Sequence, residues 1–153
     1  MTIKLYIGNK NYSSWSMRPW VLMRELGIPF REVLVPFGPQ PEGQSIAERS
    51  PSGKVPCLFH GDTAVWDSLA IVEYLDETHP EPALLPKDPV GRARVRALAL
   101  DIACEIHPIN NLRVLRYLSH ELKVEEEAKN TWYRHWVRDG LEAFERQLAQ
   151  GPR

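Results

Sequence analysis

Three serines stand close together near the start of the chain, where a short apolar segment gives way to a helical pattern. Ser13, Ser14 and Ser16 lie in the run Tyr-Ser-Ser-Trp-Ser-Met-Arg that begins at Tyr12. A hydroxyl at a helix N-terminus can donate a hydrogen bond to a thiolate, and the helix dipole stabilises the same negative charge. The plain alternative is that these serines only cap the helix. Ser13 and Ser14 are therefore candidate catalytic residues for thiolate chemistry.

The thiol for such a reaction does not come from this position, which has no cysteine. The chain has two cysteines, Cys57 and Cys104, and no Cys-x-x-Cys motif. This pattern weighs against disulfide exchange through a protein thiol, and we expect both cysteines to be small core residues. The reactive thiol would then belong to a bound substrate.

A second group of residues is suited to a peptide with a free amino-acid end. Val55-Pro56 precedes a predicted strand, where a cis peptide bond would turn the backbone N–H and C=O of Val55 toward a ligand. Asp67 and Ser68 stand at a predicted helix start, which suits a carboxylate, and Asp67 could take the ammonium group. Each motif alone is better explained as a plain turn or a plain cap. Together they describe a site for γ-glutamyl-cysteinyl-glycine, which is glutathione.

The elements predicted around these residues form a strand-helix-strand unit followed by a hairpin and a helix. We expect strands over residues 3–7, 30–35, 56–59 and 63–66, and helices over 14–26 and 68–79. This βαβ-ββα order is that of a thioredoxin-like α/β domain. Residues 36–53 are expected to be irregular, with at most a short helix over 45–49.

After His79 the pattern changes to helices alone. Prolines between residues 80 and 89 indicate a stiff linker, and Asp88-Pro89 predicts a helix start. Apolar stripes then predict three helical segments. The first contains Val95, Leu98, Ile102 and Ile106, the second covers residues 112–118, and the third covers 124–148 with Trp132, Trp136, Leu141, Phe144 and Leu148 buried.

The predicted organisation is a domain over residues 1–79, a linker over 80–88 and an all-helical domain over 89–153. We expect this last domain to be truncated or to pack against a second subunit, because so few helices bury little apolar surface. The formal net charge is -1 and no run of like charge is long, which argues against nucleic acid or a membrane as partner. The absence of a signal peptide or a bilayer-spanning segment predicts a cytoplasmic protein. No metal site and no permanently bound cofactor are predicted.

The sequence resembles the cytosolic glutathione transferase superfamily over essentially the whole chain. The resemblance is carried by residues 13–18, by Gly-Lys-Val-Pro at 53–56, by Trp-Asp-Ser-Leu-Ala-Ile at 66–71 and by Glu-Tyr-Leu at 73–75. Within the superfamily the chain is most similar to the zeta class, which includes maleylacetoacetate isomerases. That class has a Ser-Ser-Cys motif, where Trp15 here replaces the cysteine, and a segment like residues 106–112.

This resemblance implies a thioredoxin-like domain, an all-helical second domain and a homodimer, with glutathione as co-substrate. It implies that Ser13 activates the thiol, and the neighbouring Ser14 is the alternative candidate for this role. The glutathione-binding positions that it implies are Lys54, Val55, Asp67 and Ser68, and the candidates for the acceptor pocket are Trp15, His107 and Asn111. Members of the superfamily usually continue into several more helices.

The leading hypothesis from sequence is a glutathione S-transferase of the detoxification type. Its serine-stabilised thiolate would attack a small electrophile, so that a non-methyl alkyl or aryl group of the electrophile is transferred to the glutathione sulfur. One alternative is a glutathione-dependent cis–trans isomerase, in which the thiolate adds to a double bond, lets it rotate and leaves. Trp15 in place of the cysteine weighs against that activity. A third hypothesis is a non-catalytic module that binds glutathione or a protein partner.

Overall fold

The amino-terminal part of the chain folds around a four-stranded sheet with the strand order β2-β1-β3-β4. The strands are β1 (Ile3–Ile7), β2 (Phe30–Leu34), β3 (Cys57–His60) and β4 (Thr63–Trp66). β1 pairs in parallel with β2 and antiparallel with β3, and β3 pairs antiparallel with β4. The computed structural model describes residues 2–39 and 45–151, so the middle of the segment predicted to be irregular, 36–53, lies outside the described residues.

Within the described part of the first 84 residues, the sheet is accompanied by the helices α1 (Ser14–Glu25), the short α2 (Ile46–Arg49) and α3 (Ser68–Thr78). The order along the chain confirms the predicted thioredoxin-like βαβ-ββα arrangement. Apolar side chains of alternate β1 positions and of one stripe on each long helix form the core, because a strand repeats every two residues and a helix every 3.6. The fully buried large side chains of this core include Leu5, Ile7, Met23, Leu58, Ile71 and Leu75.

The chain divides into two compact units between Leu84 and Leu85, and the second unit is all helical. Its helices are α4 (Pro89–Leu100), α5 (Leu112–His120) and α6 (Glu126–Ala149). Asp88 caps α4 as predicted, since its Oδ1 accepts a hydrogen bond from Gly91 N at 2.7 Å. A π-helical turn (Asp101–Ile106) continues α4, and a 3₁₀ turn (Pro108–Asn110) leads into α5.

Two expectations for the second unit are wrong. Leu141 and Leu148 of α6 were expected in a buried stripe, yet they are 43% and 44% exposed. An apolar stripe shows which face of a helix could be covered, but it does not show that the face is covered, and no residue of α6 is buried. Cys104 was expected in the core, yet it is exposed on the π-helical turn whose buried residue is Ile106. Among the described residues, no helix is both long and apolar enough to cross a membrane.

Candidate active site

Three chain junctions meet at one end of the sheet in the first unit. The chain leaves β1 after Ile7 to enter α1, and β3 begins with Cys57, which pairs with Tyr6 near that end of β1. Trp66, the last residue of β4, pairs with the same Cys57. Each part of the predicted site adjoins one of these junctions: the serine motif follows β1, Val55-Pro56 precedes β3 and Asp67-Ser68 follows β4. The fold therefore brings them to the same end of the sheet.

The serine motif forms the N-terminus of α1, with Ser13 as its N-cap. The Ser13 Oγ accepts a hydrogen bond from Ser16 N at 3.3 Å and donates one to Ser16 Oγ at 2.8 Å. Ser16 is fully buried, and its Oγ also accepts a bond from Gly8 N at 3.0 Å. The cap and the end of β1 are thus joined through one buried hydroxyl.

The two candidate catalytic serines differ in what their hydroxyls already do. The hydroxyl hydrogen of Ser13 is donated to Ser16, so Ser13 would have to exchange this bond in order to reach a ligand. Ser14 is exposed at the first position of α1, and its hydroxyl has no hydrogen-bond partner among the described residues. Both lie at the positive end of the α1 dipole, which favours a negative charge there.

The backbone before β3 carries the second part of the candidate site. The Val55-Pro56 peptide bond is cis. Across the described part of the chain, no hydrogen bond uses the backbone of Val55, whereas Pro56 behind it is buried. Lys54 is exposed, and Gly53 before it has φ 66°, a conformation that favours glycine. Val55 therefore leaves an N–H and a C=O available to an extended peptide.

Asp67 and Ser68 form the turn into α3. Asp67 is the N-cap, and its Oδ1 accepts a hydrogen bond from Leu69 N at 3.0 Å. Its φ of 70° is unusual for a residue other than glycine, and such backbone strain clusters at binding sites. Ser68 is the first helical residue and is 1% exposed. One carboxylate and one buried hydroxyl are thus held at a helix N-terminus.

A side chain that sequence reasoning did not assign connects the two helix N-termini. Arg18, in the second turn of α1, donates a hydrogen bond from Nη1 to Ser68 Oγ at 2.8 Å. Its guanidinium also lies 6.0 Å from the centre of the Trp15 ring. The basic residue following the serine run was the available signal, although its partner 50 residues away was not readable from the sequence.

The remaining candidates lie in the second unit and are described on their own. His107 is half-buried between the π-helical turn and the 3₁₀ turn, and its N–H donates to Ile102 O at 3.1 Å. Asn111 caps α5, since its Oδ1 accepts from Arg113 N at 2.9 Å and Val114 N at 3.2 Å. This capping role accounts for the oxygen of Asn111 and leaves its amide nitrogen for other partners.

The thiol of Cys57 lies in the core of the first unit and takes no part in this arrangement. Burial raises its pKa, and a hydrogen bond with Ser50 opposes that effect in part. A raised pKa keeps the thiol protonated at neutral pH, and only the thiolate is a good nucleophile. Cys57 therefore fulfils the expectation of a core residue.

Comparison with known proteins places the chain in one family. The family described as glutathione S-transferase, N-terminal domain, matches residues 12–78. A maleylpyruvate isomerase from a Ralstonia species is 38% identical over 149 residues, which are 94% of this chain and 70% of that protein. A probable maleylacetoacetate isomerase from Vibrio cholerae is 52% identical over 99 residues, which are 65% of this chain. The matched residues cover 46% of the length of that protein.

Two solved structures extend the similarity to the fold. One is a holo maleylpyruvate isomerase described as a bacterial glutathione S-transferase in the zeta class, with a TM-score of 0.84, 37% identity, and coverage of 97% of this chain and 70% of that one. The other is a maleylacetoacetate isomerase from Anaeromyxobacter dehalogenans with glutathione in its active site, with a TM-score of 0.78, 33% identity, and coverage of 99% and 70%. The chain therefore belongs to the glutathione S-transferase family, nearest to its zeta class.

Proposed function

We propose that this protein binds glutathione and uses the bound thiolate to isomerise the cis double bond of a maleyl-group substrate. The observation that carries the proposal is the single sheet end that joins the α1 serines, the free backbone of Val55 and the Asp67-Ser68 turn. The names of the similar proteins favour the isomerase alternative over the transferase hypothesis.

Each part of the proposed site takes one part of glutathione. The N–H and C=O of Val55 pair with the cysteinyl backbone, in the manner of an added strand. Ser68 and the α3 N-terminus hold the γ-glutamyl carboxylate, and Asp67 holds the ammonium group beside it. Lys54 pairs with the glycine carboxylate. The exposure of Lys54 and the unused Val55 backbone support these roles.

The thiol then lies at the N-terminus of α1, where Ser13 or Ser14 donates a hydrogen bond to its thiolate. Because the hydrogen bond and the helix dipole both favour the charged form, they lower the thiol pKa from its ordinary value near 8.5. Each unit of lowering corresponds to about 1.4 kcal/mol. The unengaged hydroxyl of Ser14 supports that residue, and the capping position of Ser13 supports the other.

The proposed reaction consumes no glutathione. The thiolate adds to one carbon of the double bond, and the electron pair moves onto the adjacent carbonyl as an enolate. Rotation about the resulting single bond is followed by return of the electron pair and departure of the thiolate. Trp15, His107 and Asn111 are proposed for the acceptor pocket.

The larger organisation of the protein is part of the same proposal. We place the glutathione-binding domain at residues 1–79, the linker at 80–88 and the helical domain at 89–153, and we propose a cytoplasmic homodimer. Exposed apolar residues such as Leu141 and Leu148 on α6 support the homodimer, because a second subunit could cover them.

Two measurements test the proposal in sequence. Isothermal titration with reduced glutathione should give saturable binding, and no binding would overturn every glutathione-dependent function. A maleyl substrate should then be isomerised in the presence of glutathione at a concentration far below that of the substrate. If glutathione were consumed with each turnover instead, the protein would be a transferase, and binding without turnover would make it a binding module.

The serine roles are tested by titrating the ultraviolet absorbance of the bound thiolate in Ser13→Ala and Ser14→Ala. Loss of the donor should raise the bound thiol pKa by about one unit. Since Ser13 is also a helix cap, unfolding of both variants is measured alongside. If neither change moves the pKa, the serine mechanism is wrong although glutathione binding stands.

A further inference from the structure

We propose that Arg18 is a positioning residue for the γ-glutamyl carboxylate of glutathione. Arg18 acts by fixing the hydroxyl of Ser68 as a hydrogen-bond donor. The proposal rests on the function proposed above. Arg18 lies outside the predicted binding set, and its role depends on one partly buried contact between α1 and α3.

The contact has the properties of a strong and directional bond. Arg18 Nη1 donates to Ser68 Oγ at 2.8 Å. The donor is ionised, and hydrogen bonds from ionised groups are about twice as strong as neutral ones. The acceptor is 1% exposed, so water does not compete for it. Ser68 is the first residue of α3, and the bond therefore sits where the helix presents its free N–H groups.

The direction of this bond determines what Ser68 can do next. A serine hydroxyl has one hydrogen and two acceptor lone pairs, whereas a guanidinium has only donors. Arg18 therefore occupies a lone pair of Ser68 and cannot accept its hydrogen. The hydroxyl hydrogen must point elsewhere, and an anion at the α3 N-terminus is the partner that both the hydroxyl and the helix dipole favour. Arg18 thus prepares Ser68 to donate.

Arg18 also connects this end of the site to the reactive end. It follows Ser14 by four residues, so the two side chains emerge from the same face of α1. The same guanidinium lies 6.0 Å from the centre of the Trp15 ring, at the outer limit of a cation–π interaction. A positive charge held at this place favours both the carboxylate and the thiolate of one ligand.

A double-mutant cycle tests whether Arg18 acts through Ser68. We expect Arg18→Met to weaken glutathione binding about tenfold by isothermal titration, and Ser68→Ala to do the same. A tenfold change corresponds to about 1.4 kcal/mol. Because both changes remove one interaction, Arg18→Met in the Ser68→Ala background should add less than about threefold. Full additivity, or an unchanged dissociation constant in Arg18→Met, would overturn the proposal.

Two further variants separate positioning from general structure. Arg24→Met lies on the same helix, where its guanidinium covers the rings of Trp20 at 5.5 Å and Phe30 at 5.0 Å, and it should bind glutathione as wild type does. Arg18→Lys keeps a cation and one donor, and it should recover part of the affinity and remain testable where Arg18→Met fails to fold. Failure of Arg18→Lys to improve on Arg18→Met would contradict the proposal.

Steady-state kinetics supplies a readout that a merely structural role would not move. The KM for glutathione should rise about tenfold in Arg18→Met, while kcat at saturating glutathione stays within about twofold. A fall in kcat with an unchanged KM would overturn the proposal. If wild-type protein binds no glutathione, the proposed function itself fails, whereas equal binding by wild type and Arg18→Met rejects only the role of Arg18.

Discussion

The hydroxyl of Ser16 lies in the middle of a buried hydrogen-bond network at the start of α1. It accepts a hydrogen bond from Gly8 N at 3.0 Å and another from the Ser13 hydroxyl at 2.8 Å. Replacing it by alanine leaves the Gly8 N–H buried without a partner, and such a loss costs about 1–3 kcal/mol. We therefore expect Ser16→Ala to lower the free energy of unfolding by that amount in urea titrations.

Ser14→Ala is the matched control for this stability measurement. It removes a hydroxyl of the same kind two residues away, but the Ser14 side chain is exposed and has no hydrogen-bond partner among the described residues. Its effect should stay within about 0.5 kcal/mol, as is usual for surface positions. Equal losses in both variants would mean that the Gly8–Ser16 bond contributes nothing particular.

A second residue-scale prediction concerns the ion pair between Lys10 and Glu32. Lys10 Nζ lies 2.6 Å from one carboxylate oxygen, and Trp20 Nε1 donates to the other at 2.7 Å. The Lys10 hydrogen bond is the main cause that lowers the pKa of Glu32 below its ordinary value of 4.5, while partial desolvation opposes it. Glu32→Gln keeps an acceptor for Trp20 and removes the charge, so we expect a loss of roughly 0.5–1 kcal/mol at neutral pH.

The sign of the pH dependence follows from the lowered pKa. The contribution of a carboxylate of this kind is present in full above its unfolded-state pKa near 4.5 and is lost as the pH falls through the lower folded-state value. The difference in unfolding free energy between wild type and Glu32→Gln should therefore shrink below about pH 4.5. A difference that stays constant or grows on acidification would refute the assignment.

The amino-acid sequence predicted the positions of some residues of the candidate site and not the partners of others. Ser13, Val55 and Ser68 were readable because each stands at a junction marked by a cap, a proline or a change of periodicity. The partner of Arg18 was not predicted, because a hydrogen bond between positions 50 residues apart depends on how α1 packs on α3. Tertiary contacts of this kind leave no local pattern.

At the scale of helices and strands, local sequence signals predicted where elements begin better than they predicted which side chains are buried. Asp88-Pro89 fixed the start of α4, because a cap and a first-turn proline act within four residues. The predicted burial of Leu141 and Leu148 was wrong, since an apolar stripe shows which face of a helix could be covered and not what covers it. The π-helical turn after α4 was also not predicted, as its apolar spacing continues that of the helix.

Gly140 on α6 gives a testable case of packing that overrides helix propensity. An alanine in a helix is normally about 1 kcal/mol better than glycine. Here a Cβ on residue 140 would overlap Ile106 Cγ1 and lie 2.9 Å from its Cδ1, and Ile106 is the buried residue of the π-helical turn. We expect Gly140→Ala to destabilise the protein by about 1–3 kcal/mol in chemical denaturation.

Replacing Ile106 by alanine should reverse the effect of Gly140→Ala on stability. Ile106→Ala alone should cost about 2–4 kcal/mol, because it opens a cavity in the second unit. In that background Gly140→Ala meets no branched side chain, so its helix propensity should make it stabilising by up to about 1 kcal/mol. Destabilisation of similar size in both backgrounds would show that Ile106 is not the cause.

Over the whole molecule, buried apolar residues are distributed unequally between the two units. Among the described residues, the buried hydrophobic side chains belong to the first unit except for Ile106. None of α4, α5 or α6 has a buried residue, although several of their large apolar side chains are more than 40% exposed. The first unit therefore has its own core, whereas the helical unit presents much of its apolar surface to its surroundings.

This inequality predicts how backbone amides exchange with deuterium. Local opening is easiest where few apolar side chains are buried, so amides of α4 and α6 should exchange at least about tenfold faster than those of β1 and β3 in dilute protein. If the proposed homodimer covers the helical unit, raising the protein concentration should slow exchange in α4 or α6 and leave β1 unchanged, because association stabilises only the surface that it buries. Mass spectrometry of peptic fragments at two concentrations measures both effects. Equal protection of strands and helices at every concentration would show that the helical unit is stable as a monomer in spite of its exposed apolar surface.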